Sequence, residues 1–355
     1  MNKIKVLVGA AILFIGLGVE TNAQDVHFSQ YFANTIYLNP AYAGSIVCPR
    51  ITLNFRHQWP VLSGKYTSYS ASYDQHFEKI SGGIGVLFLG DYAAQGGQIV
   101  TNAFSLIYSF KADLSKKVAM RLGIQATCQQ KRVDFNNLTF FDMIDAKYGF
   151  VNQTEENFPS WTTVVPDFSA GIICYSDHYY GGIAINHFTQ PKESFFPDSI
   201  RVGENESEYK DRINNTRLPI KITANFGAVI DIKKYMKTEK TFGDVSLSPN
   251  VIFQYQSRMM GGAAYTTVNY GMYLACYPMV VGAWFRQGFK NADAAIFLAG
   301  IEHNYFKIGY SYDFTIPSQK NNKMKTGGAH EVSVQMYFPC PEKSRRIRNI
   351  NCPKF

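Results

Sequence analysis

Apolar and polar residues alternate along most of residues 51–338, in segments of about ten residues. Successive side chains of a β-strand point to opposite faces, so a period of two gives each segment one apolar and one polar face. In 118–129, for example, Leu122 and Ile124 fall on one face and Arg121 on the other. A soluble β-sandwich strand has the same period, but its recurrence along nearly the whole chain predicts an all-β, transmembrane antiparallel barrel.

Counting these segments predicts about fourteen strands, an even number, as is usual for a single-chain bacterial barrel. They are expected at 51–59, 66–77, 80–90, 98–110, 117–131, 166–176, 178–188, 217–230, 246–256, 261–274, 278–287, 293–303, 305–315 and 329–338. If both chain ends lie in the periplasm, the odd-numbered connections face outward, and the long stretches 132–165 and 189–216 are among them. A soluble sandwich has no reason to sort its loops in this way. One inward connection, about 231–245, is longer than this rule predicts.

The first residues have the pattern of a cleavable export signal. Lys3 and Lys5 precede an apolar run at 6–19, and small residues precede a cut that would leave Gln24 first in the mature chain. We therefore divide the chain into a signal peptide at 1–23, an N-terminal segment at 24–50, the barrel at 51–338 and a basic, cysteine-containing periplasmic tail at 339–355.

Composition agrees with an exported barrel. Aromatic residues make up 15% of the chain and charged residues only 17%, below the roughly 25% that is usual in soluble domains. Tyr and Phe suit the interfaces of a membrane, so we expect outer-membrane lipid as a partner. The net charge of +8 is scattered apart from a basic cluster at 343–348, and export argues against a nucleic-acid partner. Lipid phosphates, peptidoglycan or an acidic protein would suit that cluster, as would a solvated tail.

Six cysteines stand in a chain that we expect to be oxidised after export. Cys128 and Cys174 lie on the apolar faces of predicted strands, where they are expected to pack as small apolar residues. Cys340 and Cys352 bracket the basic tail, where a disulfide would close a small loop. Cys48 and Cys276 are alternative partners, and spacing alone does not decide the connectivity.

Catalytic and metal-binding patterns are weak. The histidines have no metal-ligand spacing, and no GxSxG, HExxH, CxxC or P-loop pattern is present in the sequence, so we expect no enzyme activity, metal or cofactor. Ser72, Asp74 and His76 share an inward face, which leaves a barrel enzyme as an alternative, although polar residues that line a lumen are the simpler interpretation. Asp313 and Glu331 also face inward, and we expect Lys307 or Arg286 to compensate their charge.

The stretch 24–45 differs from the rest because it lacks a long alternation and is rich in Asn, Gln, Tyr and small residues. Asn39 followed by Pro40 favours a turn, and Gly44 allows a tight one. We predict that this stretch enters the barrel or packs across its periplasmic mouth, with its amides bonded to inward polar groups. A flexible N-terminal arm is the alternative.

Seven short motifs resemble those of a known family. They are FSQY at 28–31, NPAYAG at 39–44, RHQW at 56–59, PDFSAGI at 166–172, NHFTQP at 186–191, GYSYDF at 309–314 and HEVSV at 330–334. The chain is thereby similar to the PorP/SprF proteins of the type IX secretion system of Bacteroidetes. The motif residues singled out are Phe28, Ser29, Gln30, Tyr31, Asn39, Pro40, Ala41, Tyr42 and Gly44 in the N-terminal segment, and Arg56, Trp59, Pro166, Asp167, Tyr310, Tyr312, Asp313, His330 and Glu331 in the barrel.

The resemblance implies a non-enzymatic outer-membrane component of the secretion and gliding machinery. Such a protein helps to export, bind or anchor large surface proteins, such as adhesins, through their C-terminal domains, together with other secretion components, including periplasmic ones. A passive porin or hydrophobic-solute transport barrel remains the main alternative. Because loops on a rigid scaffold carry binding chemistry, the outer loops are the expected contact surface for the secreted protein. The candidate contacts are Tyr148, Phe150, Trp161, Phe195, Phe196 and Tyr209.

Overall fold

The computed structural model describes residues 25–62, 64–93, 99–133, 143–145, 149–150, 161–193, 206, 217–232, 245–256, 264–289, 292–316 and 326–340. Within them, fourteen antiparallel strands form a closed barrel. The strands are β1 Arg50–Gln58, β2 Tyr66–Phe77, β3 Gly82–Ala93, β4 Ile99–Asp113, β5 Ala119–Val133, β6 Trp161–Tyr175, β7 Tyr179–Asn186, β8 Lys221–Ala228, β9 Val245–Gln256, β10 Tyr265–Cys276, β11 Met279–Gly288, β12 Ala292–His303, β13 Phe306–Thr315 and β14 Ala329–Tyr337. Three two-residue strands, Ile144–Asp145, Gly149–Phe150 and Ile230–Asp231, stand beside this set.

Each strand pairs with its neighbours in sequence, and the ring closes between β14 and β1. That seam runs from Arg50, opposite Tyr337, to Gln58, opposite Ala329. Closure pairs the backbone groups that an open sheet would leave at its edges. The fold class and the strand number predicted from the alternation are therefore confirmed.

The two faces of the wall differ as the alternation predicts. On β14, Val332 points outward and is 40% exposed, whereas Glu331 points inward and is fully buried. Cys128 and Cys174 are free and exposed on the outward face, as expected. An apolar outer face suits lipid, and the polar residues line the lumen.

Strand limits differ from the predicted ones mainly at three positions, one of which is the start of β10, at Tyr265 rather than at 261. β6 begins at Trp161 rather than at Pro166, because the β-branched residues of 162–165 continue the pairing with β5. β8 begins at Lys221 rather than at 217, after Pro219, which cannot donate a ladder hydrogen bond.

Helical structure is short. An α-helical turn, α1, spans Thr35–Leu38, and 3₁₀ turns span Pro40–Tyr42 and Glu78–Ile80. In the described part of the chain, no helix has the length and apolar character to cross a membrane.

The two ends of the barrel differ in the connections that they carry. The loop end carries the connections after odd-numbered strands, including 134–160 and 187–220. The turn end carries the connections after even-numbered strands, such as 176–178 and 304–305, and the N-terminal side of β1.

A disulfide lies at the turn end of the seam, and it corrects the expected pairing of Cys340 with Cys352. Cys340 is bonded to Cys48, with their Cα atoms 4.4 Å apart. The physical reason is the closure of the barrel: the Phe338 amide donates to the Pro49 carbonyl, which places the chain before β1 beside the chain after β14. Cys352 lies outside the described residues.

Candidate functional site: the plugged lumen

Residues 25–49 run through the lumen from the loop end to the turn end, and we call this segment the plug. Its first described residue, Asp25, lies beside the loop-end residues Lys221 and Gln256, and Gly44 lies beside Asp74 near the turn end. Burial is nearly complete, since Gln30, Asn39, Ala41, Tyr42 and Ala43 are each fully buried. The predicted entry of the 24–45 stretch into the barrel thus agrees with its position in the structure.

The first charge cluster holds the plug where FSQY crosses β1, β11, β13 and β14. The Ser29 hydroxyl donates to Asp313 at 2.6 Å and accepts from Arg56 at 2.7 Å and Arg286 at 2.6 Å. Both arginines also pair with the Asp313 carboxylate, at 2.9 and 2.8 Å. The expected Arg286–Asp313 pair is present, whereas Lys307 pairs with Glu302 at 3.1 Å instead.

Glu331 completes this cluster through the backbone of the plug. Its carboxylate accepts from the amides of Ser29, at 2.6 Å, and Gln30, at 3.0 Å, and pairs with Arg56 at 3.1 Å. Two cations thus face two carboxylates, and the charges balance. Buried ions are tolerated only when they are paired and hydrogen-bonded, so removal of one member would leave an uncompensated charge in the lumen.

The second charge cluster fixes the first plug residues at the loop end. The His187 ring lies between two carboxylates, 2.7 Å from Asp167 and 3.0 Å from Asp25, and the Lys221 ammonium lies 3.3 Å from Asp25. His187 follows β7 with a left-handed backbone, φ 60°, which turns its side chain into the lumen. Thr189 also donates to Asp167, at 3.1 Å.

Burial and charge oppose each other in this second cluster. Burial disfavours a charged imidazole, but the carboxylates of Asp25 and Asp167 outweigh it and raise the pKa of His187 to about 10. Burial likewise disfavours a charged Asp25, but His187 and Lys221 outweigh it and hold the pKa of Asp25 well below its ordinary value. The second cluster is therefore an ion-pair network of two cations and two carboxylates.

At the turn end, buried side chains hold the tight turn at Gly44. Asp74 accepts from the Gly44 amide at 2.8 Å and pairs with Arg50 at 2.9 Å. The Arg121 guanidinium donates to the Gly44 carbonyl and lies 3.3 Å from His76. These contacts give Asp74 a structural role, so its position beside Ser72 and His76 does not call for a catalytic explanation.

Glycines on the inward wall make room for the NPAYAG turn. A Cβ on Gly123 would lie 2.3 Å from the Ala41 nitrogen, and one on Gly171 would lie 2.0 Å from the Asn39 side-chain oxygen. The side-chain NH₂ group of Asn39 donates to the carbonyls of Ile172 and Ile183. Its side-chain oxygen accepts from the backbone amide of Ala41. Because only glycine allows such a close approach, β5 and β6 form a fitted seat for the turn.

Aromatic side chains pack the middle of the plug against β10 and β11. Tyr31 and Phe32 lie 5.3 and 6.2 Å from the Trp284 ring, and Phe32 meets Tyr273 edge-on at 6.3 Å. Tyr42 accepts a hydrogen bond from Asn225 at 2.9 Å. Phe28 is buried against Tyr37 of the plug itself.

The lumen is filled unevenly. Along β5, the inward residues Arg121 and Gly123 near the turn end are buried, whereas Gln125, Thr127 and Gln129 nearer the loop end are only half-buried. The plug therefore covers the turn-end half of β5 more completely than the loop-end half.

Several motif residues lie on the outer surface of the barrel rather than beside the plug. Tyr310 and Tyr312 point outward as expected, and Tyr310 shares a hydrogen bond with His330 at 2.8 Å. Trp59 lies after β1 and meets Tyr66 edge-on at 5.7 Å. Pro166 is exposed on the outer face of β6.

The candidate contacts for a secreted protein lie almost wholly outside the description. Tyr148, Phe195, Phe196 and Tyr209 are not among the described residues. Trp161 and Phe150 are described by backbone only, the first at the start of β6. Their role stays a prediction.

Sequence reasoning missed some residues that hold the plug. His187, Arg50, Arg121 and Asp25 were not linked to it in advance. Arg50 and Arg121 lie at inward positions of alternating strands and His187 lies inside NHFTQP, whereas Asp25 lies on no strand and in no quoted motif. Alternation does not say which inward residues meet.

The structure brings the separate motifs together at the plug. Arg56, Asp313 and Glu331 surround Ser29, while His187, which also bonds Asp167, holds Asp25. A family model described as "Type IX secretion system membrane protein PorP/SprF" matches residues 20–336. The chain belongs to the PorP/SprF family. Both the family and the closed barrel place this PorP/SprF protein in the outer membrane, as a barrel of the type IX secretion system.

Several solved structures are similar to this PorP/SprF chain. A Pseudomonas aeruginosa FadL homologue is 11% identical, with a TM-score of 0.42, over 84% of this chain and 92% of that chain. The P. putida toluene transporter TodX is 9% identical, with a TM-score of 0.44, over 84% and 92%. BamA from Haemophilus ducreyi lacking POTRA domains 1–3 is 8% identical, with a TM-score of 0.37, over 82% and 71%. A comparison with curated proteins gives no match.

Proposed function

We propose that this PorP/SprF protein is a sealed, non-catalytic component of the type IX machinery that helps to export, bind or anchor large secreted surface proteins through their C-terminal domains. One observation carries the proposal: the plug crosses the lumen as part of the same chain, and balanced buried charges hold it at two levels. A barrel built in this way presents surfaces for binding rather than a passage.

The passive pore is the main competing function. A porin keeps a polar, water-filled channel, whereas the residues from Tyr31 to Tyr42 pack against aromatic and glycine positions of the wall. Release of the plug would expose Arg56, Asp313 and Glu331 without their plug partners, which is costly at low dielectric. These contacts support a resident plug.

Binding is expected at the loop end. The connections 134–160 and 187–220 leave the barrel there, and His187, at the start of the second, is bonded to the plug through Asp25. A rigid wall with long loops is the usual arrangement of a binding surface. Tyr148, Phe150, Trp161, Phe195, Phe196 and Tyr209 are the proposed contacts, and other type IX components are the further proposed partners.

Two measurements test the proposal together. Purified protein is placed in planar bilayers, and C-terminal domains of secreted proteins are identified after pull-down from native membranes. We expect no stable open conductance level and co-purification of a C-terminal domain. A chain with 194–216 exchanged for that of a relative, which leaves the contacts of His187 and Thr189 in place, should retain another protein, and an exchange of the turn-end connection 233–244 is the matched control.

Opposite results would reject the proposal. A stable open level in the parent protein, together with no recovered C-terminal domain, would favour the porin. Unchanged selection of the secreted protein after a well-folded loop exchange would place recognition away from the loop end.

A further inference from the structure

We propose that the plug has a second function during folding: it is the internal template on which the first and last strands of the barrel meet. The inference rests on the distribution of its contacts along the β1–β14 seam, and it does not depend on which protein the barrel binds.

The plug binds a row of inward positions on β14. Glu331 accepts from the amides of Ser29 and Gln30, and the Gln30 side chain donates to the Glu331 carbonyl at 3.0 Å. The Ser333 hydroxyl donates to the Gln30 side-chain oxygen at 2.5 Å, and Gln335 donates to the Ala33 carbonyl at 2.8 Å. Residues 29–33 therefore follow every second residue of β14, on its inward face.

The same few plug residues bind the other side of the seam. Arg56 on β1 donates to the Ser29 hydroxyl at 2.7 Å, and Arg50 on β1 donates to the Thr35 hydroxyl at 3.1 Å. A stretch of seven residues, 29–35, thus holds both strands that must pair last in sequence order.

Closure of this seam is the demanding step of the topology. All other neighbouring strands are joined by one connection, whereas Arg56 and Glu331 are partners across a sequence separation of 275. Loop closure over such a distance costs conformational entropy, and a slip of one residue would turn every inward side chain outward. A segment that binds β1 and β14 at defined positions lowers the first barrier and sets the register.

The charged residues of the seam favour closure around the plug over closure without it. Arg56 and Glu331 face each other across the seam, and Asp313 lies on the next strand. In the lumen these ions need hydrogen bonds beyond their mutual pairing, and the Ser29 hydroxyl and the two plug amides supply them. A closed seam without the plug would leave these positions unsatisfied.

The disulfide offers a direct report of closure. Cys48 lies in the plug, two residues before β1, and Cys340 follows β14. Their bond therefore forms when the turn end of the seam is closed. With glutathione disulfide as the oxidant, the two thiols lose two protons and two electrons to form one S–S bond, and glutathione disulfide is reduced to two thiols. Alkylation of free thiols at timed intervals then measures the fraction closed.

The experiment follows folding of the full mature chain from urea into detergent micelles. The native band on a gel run without heating and the Cys48–Cys340 bond are followed together, in a background with the other cysteines changed to serine, namely Cys128, Cys174, Cys276 and Cys352. Gln30→Ala removes contacts to β14 alone, and Asn39→Ala is the matched control because it removes contacts to β6 and β7.

If the plug acts as a template, the two substitutions should affect different rates: one the rate of barrel closure and the other the rate of unfolding. Gln30→Ala should slow both closure signals by about tenfold and change the unfolding rate little, because its contacts form before the barrier. Asn39→Ala should leave the closure rate within about twofold and speed unfolding, because its seat forms later. If Gln30→Ala yields no folded protein, Ser333→Ala removes one of the same contacts from the wall side.

A second arm removes the template itself. A chain without 25–45 keeps Cys48, and its disulfide should form at least about tenfold more slowly, with recovery when a synthetic peptide of 24–45 is added. Closure of this chain at the parent rate would overturn the proposal. Equal effects of Gln30→Ala and Asn39→Ala on unfolding alone would also overturn it, since the plug would then only stabilise the finished barrel.

Discussion

Gly123→Ala is the sharpest test of how the plug is seated. The added Cβ would lie 2.3 Å from the Ala41 nitrogen and 2.4 Å from the Pro40 carbonyl carbon, both backbone atoms of a segment held on either side. Overpacking of this kind costs about 1–3 kcal/mol, and the loss of glycine freedom in the unfolded chain returns about 0.4–1 kcal/mol. We therefore expect a net destabilisation, about 1.3 kcal/mol at the middle of the two ranges.

Urea unfolding in detergent, followed by the fluorescence of Trp284, measures the effect. Trp284 packs against Tyr31 of the plug, so its emission reports the region of interest once the other two tryptophans are changed to Phe. Gly85→Ala is the matched control on the same inward face: its Cβ would lie 3.4 Å from the Ala43 Cβ, an ordinary contact. That variant should be unchanged or more stable by about 0.5 kcal/mol.

The decisive comparison repeats Gly123→Ala in a chain without 25–45. The atoms that obstruct the new methyl group are then absent, so the substitution should become neutral or stabilising. An equal loss of stability with and without the plug would refute the seat, because the strain would then lie in the wall itself.

Four further outcomes are expected. His187 has a pKa raised to about 10, so its contribution to stability is complete below about pH 6.5 and is lost as the pH rises through about 10; His187→Gln should remove this dependence of the unfolding midpoint. Asp313→Asn should destabilise the barrel by about 3–5 kcal/mol, because two buried arginines lose the carboxylate that balances their positive charge. Asp293→Asn, at a 45% exposed partner of Arg286, should cost at most about 1 kcal/mol in the same unfolding assay. Single cysteines placed in 189–216 should react with an impermeant thiol reagent on intact cells, and cysteines in 341–355 should not; labelling of the tail alone would reverse the topology.

Much of the wall follows from local pattern. The period of two that puts Leu122 outward and Arg121 inward needs only the geometry of a strand, so the faces and most strand limits were predictable. The even strand number and the outward position of Cys128 follow in the same way. The alternation predicts that β6 starts at Pro166, but the strand extends back to Trp161, since pairing with β5 outweighs a single missing donor.

The sequence by itself therefore determined a barrel with an inward polar face, an irregular N-terminal segment and inward charges in need of partners. Tertiary structure decided which partners meet. The Ser29 amide binds Glu331 across 302 residues, and Cys48 bonds Cys340 across 292, at distances for which spacing carries no information. The physical reason is that alternation is a local property of each strand, whereas these contacts exist only once the ring has closed around the plug in one register.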